Sequence, residues 1–115
     1  MIVLVTGDRH WSDVNAIRRE LIKIHPDVII QGGATGADTI AKYVGHEIGA
    51  RVIQCDAKWS KYGFAAGPIR NKQMLVDYKP TLVLAFHPDL SKSKGTADCV
   101  KQARELGIKV LVFKK

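Results

Sequence analysis

The chain has 115 residues, a formal net charge of +7, and 46% hydrophobic and 25% charged residues. That length suits one domain around one core, and the composition excludes a disordered or low-complexity protein. Its longest apolar runs are too short to cross a bilayer, no signal-peptide pattern opens the sequence, and Cys55 and Cys99 are too few and too isolated for a disulfide framework. The expectation is therefore a cytoplasmic domain with no membrane partner.

The first strand is expected over residues 2–5, running into Val5-Thr6-Gly7-Asp8-Arg9-His10-Trp11, so that Gly7 and Arg9 face any crevice at its end. Val14, Ile17, Leu21 and Ile24 recur at helical spacing, with Ser12 or Asp13 as the cap. A second strand over 28–30 leads into Gln31-Gly32-Gly33-Ala34-Thr35-Gly36-Ala37-Asp38, which opens a helix carrying Ile40, Ala41, Val44 and Ile48 and ending near Gly49. A third strand covers 52–54. After a long glycine-bearing loop from Trp59, a third helix starts with Pro68 at its first position and runs over 69–78 until Pro80 stops it. Strand 82–86 follows, then a helix from about Thr96 to Gly107, then strand 110–113.

Each strand is too apolar to leave one face in water, and the crossovers are too long for hairpins. The order β-α-β-α-β-α-β-α-β requires parallel strands with right-handed connections. The fold class is α/β: a single Rossmann-like, doubly wound domain, with a five-stranded parallel sheet and about four helices. Either common strand order leaves a crevice at the carboxyl ends of the strands.

Three segments carry candidate chemistry at that edge. In the turn after the second strand, Gly32, Gly33 and Gly36 permit close approach and positive φ, Thr35 offers a hydroxyl, and the helix start favours an anion. The spacing is neither a dinucleotide fingerprint nor a P-loop, and a tight turn with Asp38 favoured by the helix dipole explains the same residues. Lys92-Ser93-Lys94-Gly95-Thr96-Ala97-Asp98 is a second such turn, with Thr96 as candidate N-cap and Asp98 as a first-turn carboxylate. The long loop brings Trp59, Tyr62 and Phe64, whose common fate is core packing, and then Arg70 and Asn71; Arg70 can grip a phosphate with two bonds.

Lysines 58, 61, 92 and 94 cluster in two of these loops, which suits either solubility or an anion site. His10 and His87 follow strands and have Asp8 and Asp89 beside them, but their spacing matches no known ligand motif, so no metal or cofactor is expected.

Taken together, Thr6-Gly7-Asp8-Arg9, Gly32 to Asp38, Ala66-Gly67-Pro68-Ile69-Arg70-Asn71 and Gly95-Thr96-Ala97-Asp98 resemble the SLOG superfamily. This Rossmann-like group includes DprA (SMF) and the LOG enzymes, and the chain looks most similar to its small stand-alone YspA-like, YpsA-related members. The resemblance implies a site for a nucleotide or nucleotide-derived ligand. LOG enzymes cleave the N-glycosidic bond of nucleoside monophosphates, using an arginine that Arg70 matches by position and a glutamate whose place here is held by Cys99, with Asp98 one residue earlier. A thiol cannot replace that carboxylate, and Ser91-Lys92-Ser93-Lys94 replaces the paired glycines.

Ligand binding is thus the leading expectation, through Gly7, Arg9, Gly32, Gly33, Thr35, Gly36, Asp38, Arg70, Asn71, Gly95, Thr96 and Asp98. The alternative is an N-glycosidic hydrolase with Arg70 and Asp98 catalytic. A weaker one is nucleic-acid binding of DprA type. Related folds often complete their sites across a dimer, so the resemblance also implies a homo-oligomer.

Overall fold

Apolar strands and amphipathic helices alternate along this chain, and the computed structural model, which describes residues 1–114, stacks them in three layers. The strands are β1 (Ile2–Gly7), β2 (Val28–Gln31), β3 (Arg51–Gln54), β4 (Leu82–Phe86) and β5 (Lys109–Phe113). All pair in parallel, in the order β3-β2-β1-β4-β5. The chain winds outward from β1 in both directions, so the strand order reverses between β1 and β4, where a doubly wound sheet opens its crevice.

Helices α1 (Val14–Ile24) and α2 (Ala37–Glu47) cover one face of the sheet, burying Val3, Val5, Ile17, Leu21, Ile29 and Leu84. On the other face, α4 (Ala66–Asp77) and α5 (Gly95–Glu105) bury Leu4, Ile30, Met74, Leu75, Val83 and Cys99. Phe86 extends the first core, edge-on to Trp11 and stacked on Phe113. The central strands are covered on both sides as their composition requires. The outer pair is not: β3 and β5 begin with exposed Arg51 and Lys109, β3 is half-buried only at Val52 and Ile53 before exposed Gln54, and β5 is half-buried over its remaining residues.

Local chemistry sets the boundaries. Asp13, rather than Ser12, caps α1, its Oδ1 accepting from the Ala16 amide at 3.0 Å. Gly49 follows α2 at φ +78°. Pro68 lies two residues inside α4, still within the first turn where its missing N–H costs nothing. The expected cap of α5 is corrected: Thr96 is buried inside the helix, and the Ser93 hydroxyl accepts from the Thr96 and Ala97 amides at 3.0 and 3.1 Å. The long loop is ordered as well, with the one-turn helix α3 (Trp59–Tyr62) and a 3₁₀ turn (Gly63–Ala65) leading straight into α4. Among the described residues, no helix is long and apolar enough to cross a membrane.

Candidate functional site

The first strand delivers Gly7 against β4, where any side chain would strike the Phe86 carbonyl and the Ala37 methyl. The backbone then turns through Asp8 and Arg9 and locks onto the glycine turn of β2. The Asp8 carbonyl accepts from the Ala37 amide at 3.1 Å, and the Arg9 carbonyl from the Thr35 hydroxyl at 3.2 Å. Gly36, at φ +74°, lies so close to the Asp8 and Arg9 backbone that a Cβ has no room. The Arg9 side chain itself is exposed.

Inside that turn the chain supplies its own anion. Asp38 Oδ2 accepts from the Gly32 amide at 3.0 Å and the Ala34 amide at 3.3 Å, while the Gly33 amide donates to Gln31 Oε1. Burial pushes the Asp38 carboxyl up to about 6, against the lowering effect of those amides and of nearby Arg70. The sequence reads this turn as a site for an incoming anion; the amides of Gly32, Gly33 and Ala34 are already engaged within the chain. The second turn behaves the same way, its Thr96 and Ala97 amides held by Ser93.

The two turns are joined by Arg70 and Asn71 from the second turn of α4. Arg70 Nη1 donates to the Gly32 carbonyl at 2.7 Å and the Cys55 carbonyl at 3.4 Å, and Nε to Asn71 Oδ1 at 3.0 Å. Buried Asn71 passes the connection on, Nδ2 donating to the Gly95 carbonyl at 3.2 Å and to Asp98 Oδ2 at 3.0 Å, where Gln102 Nε2 also donates at 2.8 Å. Arg70 is partly buried and has no carboxylate within ion-pair distance among the described residues, and its Nη2 has no acceptor there. Its hydrogen-bond acceptors are neutral oxygens, and the Asp38 carboxylate is nearby without being in ion-pair contact.

Arg70 also lines a cleft of about 300 Å³ between α3, α4 and the end of β3, with Asp56, Lys58, Tyr62, Ile69 and Lys72 among its walls. A smaller hollow of about 220 Å³ lies at the reversal of strand order, walled by Asp8, His10, Trp11, Ser12, Asp13 and Pro88. The larger one holds the Arg70 guanidinium. It combines three cations, the two carboxylates of Asp56 and Asp77, and apolar surface within reach of one another.

Two residues that sequence reasoning missed orient one of these carboxylates, that of Asp56. Gln31 and Gln54 end β2 and β3 at paired positions, and Gln31 Nε2 donates to Gln54 Oε1 at 3.0 Å, whose Nε2 donates in turn to Asp56 Oδ1 at 2.9 Å. The available signal was a polar amide closing each of two consecutive apolar strands. Cys99 is fully buried in the core under α4 and α5, its thiol pushed up to about 12 by burial, so it behaves as core.

Residues 1–62 match the family YAcAr, the YspA, cpYpsA-related SLOG family. The Gene 61 protein of Mycobacterium phage D29 is 33% identical over 123 aligned residues, covering 96% of this chain and 94% of that protein. Among solved structures, DNA processing protein A (DprA) from Streptococcus pneumoniae superposes with a TM-score of 0.58 at 16% identity, over 97% of this chain and 58% of that one. That last likeness is one of fold.

Proposed function

The chain belongs to the YspA, cpYpsA-related SLOG family, and on that premise we propose that it binds a nucleotide or nucleotide-derived ligand in the cleft beside Arg70. The observation that carries the reading is the guanidinium itself: partly buried, fixed by three acceptors, and without a carboxylate partner among the described residues. Neutral acceptors leave that charge without a carboxylate in contact, Asp38 being near but outside ion-pair distance, so the group favours an incoming anion. Its orientation is set before the ligand arrives, which lowers the entropic cost of binding.

The rest of the cleft suits the other parts of a nucleotide. Lys58 and Lys72 add positive charge for a phosphate, Asp56 is an acceptor for ribose hydroxyls, and Tyr62 and Ile69 provide apolar surface for a base. The glycine turns serve as scaffold in this reading. Gly32 makes room for Arg70, Asp38 fixes Gly32, and Asn71 ties the assembly to Gly95 and Asp98.

Hydrolysis draws less support, because Asp98 Oδ2 is already held by the Asn71 and Gln102 amides and Cys99 is inert core. Mass spectrometry of small molecules released when the purified protein is denatured tests the proposal. It should find a phosphate-bearing nucleoside derivative, or failing carry-over, a nucleoside phosphate should raise the melting temperature. A protein that releases none and is stabilised by none contradicts it.

A further inference from the structure

The glutamines that close β2 and β3 are joined in one direction only. A backbone N–H can only donate and a carboxylate can only accept, so Gly33 at one end and Asp56 at the other dictate how both amides are turned. The Gly33 amide donates to Gln31 Oε1, Gln31 Nε2 to Gln54 Oε1 at 3.0 Å, and Gln54 Nε2 to Asp56 Oδ1 at 2.9 Å. The relay ends on the carboxylate.

Asp56 is seated from a second side as well. Its Oδ1 lies where a Cβ on Gly33 would project, with Gln54 Nε2 beside it, and Gly33 holds a φ of +79° there. Gly33 thus makes room for Asp56 as Gly32 does for Arg70. Oδ1 is engaged by Gln54, while Oδ2 has no hydrogen-bond partner among the described residues.

Arg70 lines the same cleft, and its Nη1 reaches the Cys55 carbonyl at 3.4 Å, one residue before Asp56. Even so, neither Arg70 nor Lys58 comes within ion-pair distance of Asp56 among the described residues. The cleft therefore keeps a donor, Arg70 Nη2, and an acceptor, Asp56 Oδ2, that do not satisfy each other. Such a pair fits a ligand that joins an anionic group to hydrogen-bond donors. A cationic donor is opposed by Arg70, Lys58 and Lys72 around it, whereas sugar hydroxyls carry no charge.

We infer that Asp56 is the specificity-determining residue of the cleft, selecting ribonucleotides with a free 2′,3′-diol over deoxynucleotides and over nucleotides phosphorylated on that diol. This selectivity rests on the ligand reading above. A free diol donates to Oδ2, a deoxy carbon leaves Oδ2 to water, and a phosphate ester sets a second anion against the carboxylate. Every internal 3′-oxygen of a polynucleotide is esterified, so the site takes free nucleotides rather than the interior of a strand. Gln54 is a positioning residue, since by engaging Oδ1 it leaves Oδ2 for the ligand.

Calorimetry of the full chain against ribonucleoside 5′-monophosphates, their 2′-deoxy and 3′-deoxy analogues and nucleoside 3′,5′-bisphosphates tests it. A ribonucleotide that binds should do so roughly tenfold or more tighter than one or both deoxy forms, as one hydrogen bond to a charged group is worth. In Asp56→Asn the side-chain oxygen must still accept from Gln54 Nε2, which turns the NH₂ to the ligand and exchanges an acceptor for a donor. The preference should vanish there, with circular dichroism unchanged because residue 56 is exposed. Gln54→Leu should shrink the preference while leaving the affinity for the deoxy form unchanged, a split that a merely structural role would not produce. A parent that binds ribose and deoxy forms equally overturns the selectivity and leaves the ligand reading standing, whereas a parent that binds no nucleotide overturns both. An Asp56→Asn protein that keeps the parent's preference overturns the assignment to Asp56.

Discussion

The Arg70 guanidinium donates from Nη1 to the Gly32 carbonyl at 2.7 Å, in the space that a side chain on residue 32 would need. Contact and vacancy depend on each other. Gly32→Ala should therefore push Arg70 out of its seat while α4 and the sheet persist. Expected are a loss of about 1–3 kcal/mol in stability, from the broken charged hydrogen bond, and a drop in ligand affinity of at least roughly tenfold. Urea unfolding and calorimetry on the same preparation read both.

The two glycine turns should respond differently to a methyl group. Gly36 combines φ +74° with the Asp8 and Arg9 backbone at its α-carbon, so Gly36→Ala should cost more than the ~1 kcal/mol of backbone strain alone. Gly95 opens α5 with empty space where a Cβ would go and no positive φ. Gly95→Ala should be neutral or stabilising by up to about 1 kcal/mol. Equal losses at both positions, measured by urea unfolding, would contradict the turn geometry.

Asp38 should leave a signature in stability against pH. Its folded carboxyl is raised from 3.8 to about 6, chiefly by burial. The folded protein thus holds this proton more tightly than the unfolded chain. The corresponding stability is fully present below pH 3.8 and is lost as pH rises through about 6. At 1.36 kcal/mol per unit, the full swing is on the order of 3 kcal/mol. Asp38→Asn preserves a single oxygen that can accept from both Gly32 and Ala34. It should be at least as stable as the parent at neutral pH, with the parent gaining on it as pH falls. Denaturation curves of the two proteins at several pH values decide the sign.

Much of this architecture was legible because periodicity and punctuation agreed. Uninterrupted runs such as 82–86 mark strands covered on both faces, and Pro80, Gly49 and Gly107 mark where helices stop. Less visible was anything decided by partners distant in sequence. The strand order depends on which strands β1 accepts on either side, and the internal use of the glycine amides depends on Asp38 folding back from α2. Residues 59–65 read as loop because their helix is a single turn with glycine at its end. The exposure of their aromatics runs against the usual burial of such side chains. Arg70 was identifiable as a candidate anion ligand by chemistry. Its dependence on Gly32 and Asn71 required the third dimension.

Salt separates a nucleotide site from a polyanion surface. A mononucleotide that meets Arg70 and one or two lysines should lose affinity shallowly as salt rises. A nucleic acid neutralised at several phosphates should lose it with a log–log slope near −0.7 to −0.9 per contact. The shallow dependence is expected here, measured by fluorescence anisotropy with labelled mononucleotide and oligonucleotide side by side. Tight oligonucleotide binding that collapses by moderate salt, with no mononucleotide binding, would favour a nucleic-acid role.

At the centre of the proposed function is an anionic nucleotide group held by Arg70 Nη2, the nitrogen left free by the contacts of Nη1 and Nε. Calorimetry of the parent and of Arg70→Lys, against nucleosides, nucleoside mono- and diphosphates and ADP-ribose, addresses it most directly. Lysine keeps the charge but cannot hold Gly32, Cys55 and Asn71 while presenting a further N–H outward. The expected result is binding of at least one phosphate-bearing compound, none of its parent nucleoside, and a loss of roughly tenfold or more in Arg70→Lys, from one charge-assisted hydrogen bond. Binding by Arg70→Lys equal to the parent's, or no binding by the parent to any phosphate-bearing member of the panel, would contradict the account.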